Sequence, residues 1–114
     1  MTMPGRSAYL GEFEQLVMLA VARLGAQAYG TSIRREIEAR SRRAVTIGAT
    51  YVTLDRLVAK GYLRAHEGLP SVERGGRVKR FFALTPPGVV ALEAARDLQT
   101  RMWAGIRLRR PGKA

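Results

Sequence analysis

Apolar residues recur along this chain at two different periods, and the change from one to the other outlines the fold. Between Glu12 and Leu24 they fall at Phe13, Leu16, Val17, Ala20, Val21 and Leu24, the spacing of a helix with one buried face. Met18 and Leu19 lie off that stripe, so a second side of this helix is open to cover, and Gly25 is placed to end it. A second helix is expected from Thr31 to Arg42, with Tyr29 anchoring its start and Ile33 and Ile37 turned inward. That leaves Arg34, Arg35, Glu38 and Arg42 on the outer faces. Ala44 to Ile47 is short and β-prone, a strand-like link.

A third helix is predicted from Gly48 to Lys60, closed by Gly61. At 100° per residue, Ile47, Tyr51, Leu54, Leu57 and Val58 cluster on one side with Thr50 at the edge, while Ala49, Val52, Thr53, Arg56 and Lys60 take the other. The period then shortens. Tyr62–Glu67 and Val78–Leu84 read as two strands of a hairpin, separated by a turn-rich tip containing Gly68, Pro70, Gly75 and Gly76. Thr85 before Pro86 and Pro87 is the start signal of a last helix. Its apolar positions are Val89, Val90, Leu92, Ala95, Leu98, Met102 and Ile106, and a basic tail follows from Arg107. The expectation is one domain, mostly α with a small β-hairpin.

Composition narrows the function. Of 114 residues, 46% are hydrophobic, enough for a core, and 20 Lys and Arg against 9 Asp and Glu give a net charge of +11. Such an excess attracts polyanions, chiefly nucleic acid. It is also placed unevenly: residues 1–40 hold five basic and four acidic side chains, residues 41–80 nine and three. The chain has no cysteine and one histidine, His66, so disulfides, thiolate or histidine-cluster metal sites and a thiol nucleophile are excluded. Without a catalytic triad, paired carboxylates or a phosphate-cradling glycine loop, neither an enzyme nor a cofactor is expected. The longest apolar run, Leu16 to Ala22, is too short to span a membrane, and no signal-peptide pattern opens the chain, so a cytoplasmic protein is expected.

Three helices followed by a cationic hairpin have a physical use on DNA. The third helix is of a size to enter the major groove, and the hairpin can reach neighbouring phosphates or the minor groove. On that helix Arg56 is a base reader, a phosphate contact or a solvated charge. Val52 and Thr53 are candidates to touch bases, Val52 through a thymine methyl, while Tyr51 reads as a core residue whose hydroxyl can still reach a phosphate. Arg74, Arg77, Lys79 and Arg80 make the hairpin cationic. Trp103, the only tryptophan, is either a stacking contact for a small aromatic or hydrophobic effector or packing in a dimer interface. A nonspecific architectural DNA- or RNA-binding protein and a protein-binding module are the rival readings.

The residues also resemble a known family. Leu10-Gly-Glu-Phe-Glu-Gln-Leu-Val-Met-Leu-Ala is similar to the opening helix of PadR-type regulators, and Ala28-Tyr-Gly to the lead-in of their second helix. Gly48-Ala-Thr-Tyr-Val-Thr-Leu-Asp-Arg-Leu with Lys60-Gly-Tyr-Leu resembles their recognition helix and its exit. Gly75-Gly-Arg-Val-Lys-Arg-Phe-Phe-Ala-Leu-Thr resembles their wing, and Pro87-Gly the start of their last helix. The resemblance implies a winged helix-turn-helix over residues 8–86, a dimerisation helix over 87–108 and a basic tail over 109–114. It implies a homodimeric, ligand-responsive repressor of the short subgroup that contacts double-stranded DNA through Thr50, Tyr51, Thr53, Arg56, Arg77, Lys79 and Arg80. Val52 departs from it, standing where many members carry proline. The apolar residues on several faces of the last helix, with Met18 and Leu19, are expected to bury against a second copy. That twofold symmetry would place two recognition helices about one DNA turn apart on a near-palindromic operator.

Overall fold

The N–H of Gly11 donates to the Glu14 carboxylate at 2.8 Å, and this contact starts the first helix, α1 (Glu12–Leu24). The computed structural model describes residues 9–68 and 78–112. Gly25 closes α1 with φ at 56°, a conformation that favours glycine, and a single 3-10 turn (Gly25–Gln27) follows. In α2 (Gly30–Ser41) the Ser32 hydroxyl accepts from the Tyr29 N–H at 3.0 Å and donates to the Gln27 carbonyl at 2.6 Å. The expected inward pair, Ile33 and Ile37, is buried.

The strand-like link is corrected. Residues 44–46 form no regular element and pair with no strand among the described residues; the Val45 N–H instead donates to the Glu38 carboxylate at 3.0 Å, and the Val45 side chain enters the core. Ile47 already belongs to α3 (Ile47–Ala59), which is capped by the Thr46 hydroxyl accepting from the Ala49 N–H at 3.0 Å.

The hairpin pairs β1 (Leu63–Glu67) with β2 (Arg80–Leu84) antiparallel, from Leu63 opposite Leu84 to Glu67 opposite Arg80. Both strands are shorter than expected, and the tip with Arg74 and Arg77 lies outside the described residues. The Phe82 N–H donates to the Ala28 carbonyl at 2.9 Å, so the lead-in to α2 runs beside β2 as a short third edge. Thr85 then caps α4 (Pro86–Trp103): its hydroxyl accepts from the Gly88 N–H at 3.1 Å and donates to the Gly61 carbonyl at 2.6 Å. Gly88 lies so close to the Tyr62 carbonyl that any Cβ would overlap it, which explains a glycine there. The helix stops before the expected Ile106, at a turn where Gly105 takes φ 79°.

The core gathers Val17, Met18 and Val21 of α1, Ile33 and Ile37 of α2, Leu54 and Leu57 of α3, and Leu63 and Phe82 of the hairpin. Met18 is therefore committed within the chain and is not free to cover a second copy; Leu19 remains exposed. In α4 only Gly88 is fully buried, and Val90, Leu98 and Met102 face solvent. No helix among the described residues is long and apolar enough to cross a membrane, and none of their His, Asp and Glu side chains form a group of three fit for a metal.

Lys60 also departs from the outer face expected for it. Its ammonium donates to the Glu14 carboxylate at 2.8 Å and to the Tyr9 carbonyl at 2.9 Å, tying the end of α3 to the start of α1. Burial pushes the Glu14 carboxyl up, but the bonds from Lys60 and the Gly11 N–H, with the charges of Lys60 and Arg56, outweigh it and hold the group below its ordinary value. Near neutral pH the full contribution of this carboxylate is present. It fades as pH falls below the ordinary glutamate range, roughly 4 to 5, and is gone below the depressed native value. Glu14→Gln is expected to cost roughly 2–3 kcal/mol at pH 7, less than a fully enclosed pair because Lys60 keeps the Tyr9 carbonyl. The loss should shrink on acidification. Urea titrations at pH 7 and pH 3.5 check this, and an equal loss at both would contradict it.

Candidate nucleic-acid interface

The third helix is turned differently from its hydrophobic pattern. Thr50 and Thr53 are 0% and 5% exposed, and with Leu54 and Leu57 they form the inner face. Ile47 and Tyr51, expected inside, reach the surface. At 100° per residue the inner face is rotated by roughly 60° from the expected one. Side-chain size accounts for this. Threonine lets α3 approach α1 and α2 closely, where tyrosine or isoleucine would hold it away. The buried Thr50 hydroxyl costs little, because it donates to the Thr46 carbonyl at 2.9 Å.

Tyr51 is exposed yet held in place. Its ring and hydroxyl lie against Gly30 at the start of α2, where a Cβ would collide with them. The outward face of α3 then consists of Ile47, Gly48, Ala49, Val52, Asp55, Arg56 and Ala59. Arg56 makes no ion pair among the described residues.

The hairpin supplies cations beside this face. Lys79 Nζ sits 3.8 Å above the centre of the Tyr29 ring, a cation–π contact that fixes the base of the wing to α2. Arg80 reaches the Asp55 carboxylate at 3.3 Å and lies over the Phe82 ring, joining the wing to α3. Together Tyr29, Thr31, Arg35, Tyr51, Val78, Lys79 and Arg80 line an open concavity of about 460 Å³. A concave, cationic surface with hydroxyls at its wall suits an oxyanion such as a backbone phosphate.

Of the residues expected to contact DNA, the structure brings Tyr51, Lys79 and Arg80 around one concavity and leaves Arg56 on the adjoining helix face. Thr50 and Thr53 are withdrawn from the surface, which corrects the outer position given to Thr53. Arg77 lies outside the described residues. Trp103 ends α4, 54% exposed, and lines neither this concavity nor the apolar groove along α4. That groove, about 890 Å³, runs between α4 and the start of α1, with Tyr9, Leu10, Tyr62, Val90, Ala94 and Leu98 in its walls. Sequence reading missed Tyr29, Thr31 and Arg35 as parts of the cationic concavity. Arg35 was legible as an outer residue of α2, but nothing in the spacing says that the hairpin folds back onto that end.

A family model described as the transcriptional regulator PadR-like family matches residues 18–94. Among solved structures, the chain is similar to a PadR-like transcription factor from Bacteroides fragilis, at 23% identity over 79% of this chain and 82% of that one, with a TM-score of 0.66. It is similar in fold to a winged-helix DNA-binding protein from STIV, at 18% identity over 87% and 99% of the two chains, TM-score 0.67. A complex structure of hsRosR-SG aligns at 26% identity over 88% and 81%, TM-score 0.63. No curated protein sequence matches the chain.

Lys79→Ala and Arg35→Ala are each expected to weaken binding to every duplex alike. Each should lower the slope of log affinity against log salt by about 0.9 if one phosphate contact is lost. Fluorescence anisotropy over a salt series measures both effects. Slopes unchanged in both variants would remove the concavity from the interface.

Proposed function

Because the chain belongs to the PadR-like family of transcriptional regulators, we propose that it is a sequence-specific DNA-binding regulator in the cytoplasm, a ligand-responsive repressor that acts as a homodimer. The observation that carries the DNA reading is the junction of α3 with the wing. An exposed helix face meets a cationic concavity built from α2 and the hairpin, so one surface offers both base-edge and phosphate contacts. In this reading α3 enters the major groove, Arg56 reads a base edge and Tyr51, Lys79 and Arg80 hold phosphates, with Arg77 adding charge from the wing. Thr50 and Thr53 act by packing α3 rather than by touching bases. Residues 8–86 form the DNA-binding unit, 87–108 a dimerisation segment that is helical as far as Trp103, and 109–114 a basic tail.

The dimer reading rests on α4. Val90, Leu98 and Met102 lie open to solvent along it, and a groove of about 890 Å³ separates it from the start of α1. A second copy of the same helix would cover that apolar surface isologously. Trp103 at the exposed end of α4 would then lie at the edge of the interface, where a flat aromatic or hydrophobic effector can stack on it.

Selection from a random duplex library is expected to enrich an inverted repeat with half-sites about one DNA turn apart, bound on the order of 10³-fold more tightly than random DNA. Equal affinity for both would favour a nonspecific architectural protein. Replacing Leu98 and Met102 together by Glu should give monomers in sedimentation at micromolar concentration and abolish tight operator binding. A wild-type monomer that still holds its operator tightly would overturn the dimer.

A further inference from the structure

The outward face of α3 is poor in groups that hydrogen-bond to bases. Val52 is 58% exposed and Ile47 41%, and Gly48 and Ala49 are exposed with them. Thr50 and Thr53, the threonines of this stretch, are buried, and the Thr50 hydroxyl is given to Thr46. The Tyr51 hydroxyl is turned aside toward Gly30 and the wall of the cationic concavity, and Asp55 is engaged by Arg80. The first two turns of the helix therefore present methyl groups and bare backbone. Nothing lies within 4 Å of where a Gly48 Cβ would stand, so the helix start is open to close approach. A soluble chain rarely exposes such a cluster without a partner for it. The cations around it, Arg35, Lys79 and Arg80 on one side and Arg56 on the other, favour a polyanion as that partner over a protein's apolar patch.

In the major groove the edges of the bases carry donors and acceptors, except for one apolar group, the C5-methyl of thymine. We propose that α3 selects its sites by methyl-group readout, with Val52 as the principal reader of thymine and Ala49 and Ile47 flanking it, while Arg56 supplies the polar base contact one turn further on. This rests on the regulator reading and adds what it reads: half-sites whose thymines face the first two turns of α3. Valine at position 52 serves this better than a polar residue of its size, because its two methyls can close on the thymine methyl without leaving a buried hydroxyl unpaired.

The test substitutes 2′-deoxyuridine for thymine throughout the duplex obtained by site selection. Base pairs and phosphates are kept and only the methyls go. Each contacted methyl lost should weaken wild-type binding about fourfold, so two contacts give roughly fifteenfold. Val52→Ala, at an exposed position where the fold is indifferent, should bind the thymine duplex more weakly and lose most of the thymine-over-uracil ratio. An effect of altered duplex shape would instead persist in that variant. A library that yields no enriched site overturns the regulator reading and this one together. An enriched site that lacks thymine, that binds equally with uracil, or whose thymine preference survives in both Val52→Ala and Ile47→Ala overturns this proposal alone.

Discussion

Thr50 and Thr53, on the inner side of α3, are small enough to let that helix settle against α1 and α2 while Leu54 and Leu57 seal the core. Close packing leaves little tolerance in such a contact, and a bulkier side chain there would force the helix outward or around. With the threonines inside, Ile47, Tyr51 and Val52 have only the surface left to them. The face offered to a partner is thus fixed by what the core accepts. Two contacts hold that setting. Tyr51 is seated over Gly30 at one end of the helix, and Lys60 is drawn to Glu14 and the Tyr9 carbonyl at the other.

The hairpin is fastened to the same frame. Phe82 is buried, its N–H bonded to Ala28, while Lys79 covers Tyr29 and Arg80 reaches Asp55. These contacts join the wing to α3 and to the lead-in of α2, so the cations at its base keep a set position relative to the recognition face. The Asp55–Arg80 pair is solvent-exposed and contributes little stability. It does place a carboxylate on the face of α3 with its charge offset, which lowers repulsion of phosphate. By contrast α4 is joined to the body through Thr85, Gly88 and Leu92 near its start, while Leu98 and Met102 further along are left open.

Most of the fold was legible in the sequence because its signals are local. The period of α1, the Gly25 stop, the Thr85-Pro-Pro start and the paired inward isoleucines of α2 each depend on neighbours within a few residues. The turn of α3 about its axis was not. Hydrophobicity ranks Ile47 and Tyr51 above threonine for burial, and only the distance to α1 and α2 reverses that ranking. Lys60 likewise read as an outer cation because its partner, Glu14, is 46 residues away. The link at 44–46 read as a strand from the β-branched Val45 and Thr46, whereas one serves the core and the other caps a helix. Arg56, Lys79 and Arg80 were legible as surface cations. Their grouping with Arg35 depends on tertiary contacts that no spacing records.

The orientation of α3 can be measured directly, because the chain contains no cysteine and single thiols can be introduced without background. Modification by a charged thiol reagent, with and without duplex DNA, would be followed in Thr50→Cys, Val52→Cys, Thr53→Cys and Arg56→Cys. Thiols at positions 52 and 56 should react quickly in the free protein and be protected by DNA, and those at 50 and 53 should react slowly in both states. Rapid, DNA-protected reaction at position 53, with position 52 indifferent to DNA, would contradict the account.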